Sequence, residues 1–574
     1  MIITYDIEVL KYDWIMVFKE GDNDYRVIHN NKEELKAYID KLIKNKSILV
    51  GFNNYHYDDV VLAGVLLDKD PYEISKKLVV NNERVNYKLN LITLDVIQEL
   101  PLGVGLKSSQ ANLGMSIVET PIDFNLDRPC TKEELDLLIG YCKNDVKDTE
   151  MLFKKRKDYF QAKFEIINEF NLPVPNVKKT RAILSSKVLN CQKVSIPNDR
   201  LHIDYDPNIN WDIIPKEVAD FFKKCEYDYR CGGDYTEIES RKLKLNVAGV
   251  PHVYAFGGIH GAIEKYNASG TFLHIDVSSY YPSLIIVDGF MSRASADPQK
   301  FTELRNTRYM YKAKKDPKQG IYKILINATF GAMKSEYNNL FDPKQANNIC
   351  INGQIILTQL VLELSPYCQL IQSNTDGIVV KYKEADYDKV VEIVKDFGNR
   401  FGLTFDIDKI IKIAQRDVNN YAIQFEDGKI EAKGRFAKFE GGNFMQNTLS
   451  IIDRALVNYY IYDIPVHQTV IDTYKKNDLA PFQIVCKMGS TYNGMYYEYG
   501  DEGDTKLIET QKVNRVFATN DKKYWGIYKR KGDSYQKIAN TSEHNIIHNE
   551  DISTFDKSKL DLNYYINLCK KNLY

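Results

Sequence analysis

The chain has 574 residues, and at about 100 to 200 residues per domain this implies roughly three to five domains. Hydrophobic residues make up 44% and charged residues 27%, which excludes disorder as the dominant state. With 77 Lys+Arg against 78 Asp+Glu the net charge is −1, which excludes a globally basic surface, so any nucleic-acid surface has to be local.

The N-terminus meets Asp6 and Glu8 before any run of signal-peptide length, and no stretch approaches the ~18 apolar residues of a membrane span. Nine cysteines without a CxxC pair argue against zinc ribbons, iron–sulfur clusters and a disulfide framework, so the expectation is a soluble protein of a reducing compartment, with no membrane partner. MIITYDIEV and DWIMVF read as strands, KEELKAYIDKLIKN as an amphipathic helix and SILVGFN as a third apolar strand, an α/β pattern. The helical run EELDLLIGYCKNDVKDTEMLFKKR closes a first domain over residues 1–170. NLPVPNV (171–177) is a break, followed by a mixed segment to about residue 270. TFLHIDVSSYYP opens a second α/β pattern, interrupted by a long helical stretch that turns at Asp316-Pro317. QLIQSNTDGIVVKY and NNYAIQFEDGKIEAKG flank the helix YDKVVEIVKDFGNRFG, which predicts a sheet with a helix on one face. Beyond about residue 440 a helix, NTLSIIDRALVNYYIYD, gives way to irregular aromatic-rich sequence.

Asp6 and Glu8 lie two apart in the first strand, so both carboxylates share one face. Two such acids repel each other unless a cation lies between them. GFNNYHYDD (51–59) offers Asn54, Tyr57 and Asp58 in the order N-x-x-[FY]-D, and YCKND (141–145) sets Tyr141 and Asp145 four apart on a helix. Each string alone is commonplace. Together and in this order they resemble the DEDDy 3′–5′ exonucleases, the ribonuclease H-like proofreading fold attached to family B DNA polymerases. The resemblance implies that Asp6, Glu8, Asp58 and Asp145 hold two divalent ions, that Tyr141 orients the attacking water, and that Asn54 and Tyr57 contact DNA.

HIDVSSYYPSLI (274–285) is an apolar strand, an acid, a tight turn and two aromatics. It resembles motif A of family B polymerases, D-x-x-S-L-Y-P-S. This implies Asp276 and Val277 at the metal, Ser279, Tyr280 and Tyr281 at the nucleotide, and Tyr281 closing the sugar pocket, with Tyr280 in the usual Leu place. KILINATFG (323–331) puts Lys323, Asn327 and Phe330 on one helix face and resembles motif B, K-x-x-x-N-S-x-Y-G, in which Lys323 neutralises the triphosphate. Ala328 and Phe330 replace the usual Ser and Tyr. RYMYK (308–312) sets Arg308 and Lys312 one turn apart, similar to the family's phosphate-gripping pair on the fingers. QSNTDGIVV (372–380) resembles motif C, D-T-D-S: Asn374 replaces the first acid, Asp376 keeps the second, and Thr375 lies at the primer-template. NNYAIQFEDGKIEAKG resembles the K-x-Y string and K-G turn, implying Tyr421 and Lys433 on DNA, with Asn419 where a Lys is usual. FGG (256–258) resembles the Gly-rich loop between exonuclease and palm, implying DNA contact at Gly257 and Gly258.

The resemblance divides the chain into an exonuclease domain (1–170), a linker and palm-entry region (171–270), a palm (271–295 and 338–435), fingers (296–337) and a thumb with the C-terminal DNA-binding region (436–574). Asp276 to Lys323 is 47 residues and Lys323 to Asp376 is 53, room for a helical finger hairpin but not for the insertions of the protein-primed branch. Residues 505–537 hold nine basic residues and three acids, with Tyr524, Trp525, Tyr528 and Tyr535 among Lys522, Lys523, Lys529, Arg530 and Lys531. Such a patch suits a duplex backbone, or equally a solvated β-hairpin. The expected fold class is α/β and α+β multidomain, a ribonuclease H-like exonuclease domain plus a right-hand polymerase. The expected function is a DNA-dependent DNA polymerase with 3′–5′ proofreading exonuclease, using two Mg²⁺ per site with Mn²⁺ as substitute. Its partners are primer-template DNA, dNTPs and a processivity or replisome partner, and it works as a monomer replicating a phage genome in the bacterial cytoplasm. The alternatives are an exonuclease with an inactive palm, which Asn374, Phe330 and Asn419 suggest, and a non-catalytic primer-template binding protein.

Overall fold

The computed structural model describes residues 1–574 apart from 23, 121, 442 and 446. Strands β1 (Ile2–Val9), β2 (Trp14–Lys19), β3 (Tyr25–His29), β4 (Ile48–Gly51) and β5 (Ile92–Asp95) form one sheet in the order β3-β2-β1-β4-β5. β2 is antiparallel to both neighbours, whereas β1, β4 and β5 run parallel, the arrangement expected of a ribonuclease H-like domain. The crossover from β3 to β4 is helix Lys32–Lys44. Asn31 caps it on the Glu34 N–H, acids fill its first turn and lysines its last, and Leu35, Tyr38, Ile39 and Leu42 pack on Tyr5 and Phe18. Helix Lys132–Lys155 covers the opposite face, entered through a Thr131/Glu134 capping box. It packs Leu138, Cys142 and Val146 against Ile15 and Val17. Because Asp6 pairs with Val17 and Glu8 with Ile15, both acids point to this helix-covered face.

The second sheet is antiparallel throughout and has nine strands: β6 (Leu243–Val247), β7 (Val250–Tyr254), β8 (His260–Ala262), β9 (Tyr266–Val277), β10 (Cys368–Ser373), β11 (Gly377–Tyr382), β12 (Phe405–Asp417), β13 (Asn420–Phe425) and β14 (Ile430–Lys433). Their order is β14-β13-β12-β9-β11-β10-β8-β7-β6. The segment read as a mixed linker thus supplies three strands of this sheet. Between β9 and β10 the chain forms helix Tyr280–Val287, a hairpin of helices Pro298–Ala313 and Gln319–Met333, and the long helix Pro343–Leu364. That last helix is buried on nearly all sides. Its amides satisfy an extended segment laid along it: Asn352 donates to Asp204 O and accepts from Asp206 N, while Asn348 accepts from Asp204 N. Helix Tyr387–Phe401 connects β11 to β12 and buries Val390, Val394, Phe397 and Phe401 on the sheet, as its periodicity predicts.

The C-terminal part departs from the sequence reading. Helices Ser450–Tyr462 and Val466–Lys475 are separated from helix Leu562–Lys571 by seven strands, where irregular structure was expected except for a β-hairpin alternative within 505–537. These are β15 (Ile484–Lys487), β16 (Gly494–Asp501), β17 (Asp504–Thr510), β18 (Val513–Ala518), β19 (Tyr524–Lys531), β20 (Ser534–Lys537) and β21 (Asn545–Ile547). They form a three-stranded sheet, β15-β18-β21, and a four-stranded one, β17-β16-β19-β20. Among the described residues no helix is long and apolar enough to cross a membrane.

Candidate active sites

Two clusters emerge, one on each major sheet. On the nine-stranded sheet a cavity of about 600 Å³ is lined by Asp276, Asp376 and Asp406 from the sheet and by Arg308, Lys312, Lys323 and Asn327 from the helical hairpin. Asp276 is the penultimate residue of β9, and Asp376 ends the turn between β10 and β11; the Val277 N–H donates to the Asp376 carbonyl at 2.8 Å, fixing the two acids' relative position. Gly377 is required beside them: opposite Asp276 in the ladder, a Cβ there would lie 2.7 Å from Asp276 Oδ1 and 3.0 Å from Ile275 O. Burial, then Asp376 and Asp406, push the Asp276 carboxyl up to about 7.

Ser279 sits in the left-handed region (φ 55°) at the start of helix Tyr280–Val287, and its hydroxyl accepts from Arg308. Arg308 is itself buried, its Nε has no partner among the described residues, and burial lowers its pKa. Lys312 pairs with Asp406 at 3.5 Å. Of the two tyrosines, Tyr281 donates to Gly257 O at 3.1 Å and packs on Phe330 with ring centroids 4.4 Å apart, so it lines the cavity. Tyr280 lines the same cavity, but its ring is buried and its hydroxyl is taken, donating to Gly353 O at 2.7 Å. Gly258 abuts Thr375, where a Cβ would approach to 3.2 Å. Tyr421 and Lys433 face each other across β13 and β14, and the Tyr421 hydroxyl donates to Glu431 at 3.0 Å. Asn374 lies beside His260, where it opposes the lowering of the His260 pKa by burial and Lys433; the Asn374 Oδ1 and the His260 Nδ1 are both buried without a hydrogen-bond partner among the described residues.

On the N-terminal sheet Asp6 and Glu8 of β1, Asp58 at the start of helix Asp58–Leu66, and Asp145 of helix Lys132–Lys155 converge. Burial and Asp145 push Asp6 up to about 7; burial, then Asp6, Asp145 and Asp58, push Glu8 well above the usual carboxylate range. Burial and then Asp6 do the same to Asp58. Asp145 is raised by burial but opposed by Lys107, which pairs with it and lies 4.4 Å from the Tyr141 ring centroid. Cys142 donates its thiol to Asp6 Oδ2 at 3.3 Å, so sulfur stands among the carboxylate oxygens. Asn54 is buried and donates to Asp59, which also accepts from Thr93; Tyr57 bonds Ser75 at 2.9 Å.

Asp406 and Lys107 escaped the sequence reading. Asp406 stands opposite Asp276 on β12, in the alternating string FDID whose period of two was a usable signal. Lys107 lies in GLKSSQ, a polar run with no periodicity to mark it. Lys522 and Lys523 are exposed just before β19, and Lys529 and Arg530 lie on it, beside Tyr492 and Tyr496. Arg515, one of the basic residues counted into that patch, is instead fully buried.

No family model matches the chain. Part of it is similar to proteins named DNA polymerase 1: 31% identity over 133 residues with that of Sulfurisphaera ohwakuensis, 30% over 126 residues with that of Sulfolobus acidocaldarius, and 26% over 133 residues with that of Saccharolobus solfataricus. Each match covers 21% of this chain and 14% of the relative, so the chain matches about a seventh of those proteins. The solved family B DNA polymerase of the hyperthermophilic archaeon Pyrobaculum calidifontis aligns with 98% of this chain and 76% of its own at 15% identity and a TM-score of 0.40.

Proposed function

We propose that this chain is a family B, DNA-dependent DNA polymerase with a 3′–5′ proofreading exonuclease. The observation that carries the reading is the cavity of about 600 Å³ lined both by acids from β9, the β10–β11 turn and β12 and by Arg308, Lys312 and Lys323, with Lys312 already paired to Asp406. Acids and cations lining one cavity suit a nucleoside triphosphate with its divalent counter-ions. The partial likeness to the archaeal proteins named DNA polymerase 1 supports the same activity.

The donor sets fit hard divalent ions: Asp276, Asp376 and Asp406 offer only oxygen, and Asp6, Glu8, Asp58 and Asp145 offer four carboxyls beside the Cys142 thiol, each raised by burial first, with Lys107 partly offsetting the rise at Asp6, Glu8 and Asp145. Bound Mg²⁺ or Mn²⁺ would supply activation of the attacking oxygen and charge stabilisation at the leaving oxygen. Arg308 and Lys323 screen the triphosphate, and Lys312 exchanges Asp406 for a phosphate oxygen. Tyr281, braced by Gly257 and Phe330, closes the sugar side. In the second site Lys107 fixes Asp145 and Tyr141 relative to one another, and Tyr141 orients the attacking water. Asn374 does not remove a ligand from the acid pair, because its side chain lies beside His260. The short spacings around Lys323 support extension of nucleic-acid primers by a compact phage-type enzyme. In this reading residues 1–170 are the exonuclease, 271–295 with 338–435 the palm, 296–337 the fingers and 436–574 the thumb, whose Lys522, Lys523, Lys529 and Arg530 hold the duplex.

The test is a labelled primed template with Mg²⁺, with and without the four dNTPs. The reading expects lengthening with dNTPs and shortening without them; shortening under both conditions, Mn²⁺ included, would leave an exonuclease with an inactive palm.

A further inference from the structure

Arg515 of β18 is a fully buried cation whose guanidinium, among the described residues, bonds no carboxylate, although the charge of Asp551 reaches it. Each of its five N–H donors meets a neutral oxygen. Nε donates to Gln483 Oε1 at 2.8 Å; Nη1 donates to the carbonyls of Glu550 and His548; Nη2 donates to Ala111 O at 3.0 Å and Met115 O at 2.7 Å. The first three acceptors belong to the C-terminal region. The last two lie some 400 residues away, in the last turn of helix Leu106–Asn112 and just beyond it. A cation at that end also complements the helix dipole.

The same short helix carries Lys107 one turn before Ala111, and Gln110, which donates to Asp148 of helix Lys132–Lys155. The helix is therefore held at one end by the carboxylate cluster, through Lys107 and Asp145, and at the other by Arg515. The chain beyond it is bound to the C-terminal region as well. The Glu119 carboxylate accepts the N–H groups of Lys512 and Val513, where β17 passes into β18, and Ile117 N donates to Asn549 O at 2.7 Å. The segment that joins β17 to β18 is thus tied, through the Glu119 carboxylate, to the chain that follows the lysine helix.

Taking the four-carboxylate cluster as the hydrolytic centre proposed above, we infer that Arg515 is a positioning residue for it, holding Lys107 in register with Asp145 and Tyr141 and so coupling the C-terminal region to 3′-end hydrolysis. Neither residue touches the cavity that contains Asp276, so primer extension reports independently on folding.

The test is single-turnover hydrolysis of a single-stranded oligonucleotide with Mg²⁺ by the full chain, with primer extension and the thermal midpoint measured on the same preparations. Arg515→Met is expected to lower the single-turnover rate constant for hydrolysis about tenfold, the size of effect seen when a supporting partner of an active-site ligand is removed, with the half-saturating enzyme concentration and extension unchanged. Arg515→Lys recovers most of the rate, because an ammonium can still donate to Ala111 and Met115. The Arg515→Met/Lys107→Met double variant is no slower than Lys107→Met alone, since both act through one contact. Wild-type hydrolysis by Arg515→Met, a lysine no better than methionine, or effects that multiply in the double variant would each overturn the inference. If Arg515→Met loses extension as well, Gln483→Ala carries the same test, because it removes a donor to Ala111 O and the acceptor of Arg515 Nε without deleting the cation. A wild type that extends primers but hydrolyses nothing overturns the reading of the cluster itself, and the inference with it.

Discussion

Gly377→Ala is the smallest change that strikes the Asp276 cavity alone. The added Cβ would lie 2.7 Å from Asp276 Oδ1, 3.0 Å from Ile275 O and 3.3 Å from Asp276 Cα, whereas ordinary contact begins at 3.4 Å. The carboxylate has to retreat by about 0.7 Å, the difference between 3.4 and 2.7 Å, or β11 has to part from β9. Parting is resisted because β9 is hydrogen-bonded on both sides, by β11 and by β12. Overpacking of this kind costs about 1–3 kcal/mol of stability. A misplacement approaching 1 Å at a reacting centre costs about 100-fold in rate. Gly377→Ala should therefore extend a primed template roughly 100-fold more slowly at saturating dNTP, while single-strand hydrolysis, on the other sheet, stays at the wild-type rate. Extension within a few-fold of wild type would refute the claim that Asp276 must stand where it does, and an equal loss of both activities would show general unfolding instead.

Two further outcomes follow from the electrostatics. Asp6, Asp148 and Asp276 are each pushed up to about 7, by burial first and by neighbouring acids next. A carboxyl whose folded value exceeds its unfolded one favours folding while protonated. That contribution is complete below about pH 4 and is lost as pH rises through about 7. In EDTA the thermal midpoint should then fall between pH 5 and 8, and Mg²⁺ at pH 8 should restore it; a midpoint in EDTA that is flat over this range would contradict the repulsion. Asn374→Asp should leave the Mg²⁺ concentration for half-maximal extension within a few-fold of wild type, because residue 374 lies beside His260; a tenfold fall would place residue 374 among the metal's ligands.

The strands bearing acids were legible because each couples a long apolar run to a period-two break: IITYDIEV around Asp6 and Glu8, and TFLHIDV around Asp276. The helix with Lys323 and Asn327 was legible from its spacing, and both residues line the cavity as that spacing implies. Of the C-terminal strands only a hairpin alternative within 505–537 was legible; β15, β20 and β21 have only three or four residues and β17 is largely exposed, so no apolar alternation marks those four. Tyr280 and Tyr281 both line the cavity, but the Tyr280 hydroxyl is taken by Gly353 O, a contact that no local pattern encodes. Arg515 could not be told from Lys529 by charge; its burial depends on carbonyls supplied by residues 111 and 115, and no local pattern encodes a contact at that separation.

Synthesis in the nine-stranded-sheet cavity depends most directly on Asp276. In Asp276→Asn the side chain keeps its size and loses the charge that Asp376 and Asp406 share, so single-turnover primer extension with Mg²⁺ should fall to background while hydrolysis of the same primer's 3′ end continues at the wild-type rate. Extension that survives the substitution would contradict the assignment of synthesis to this cavity.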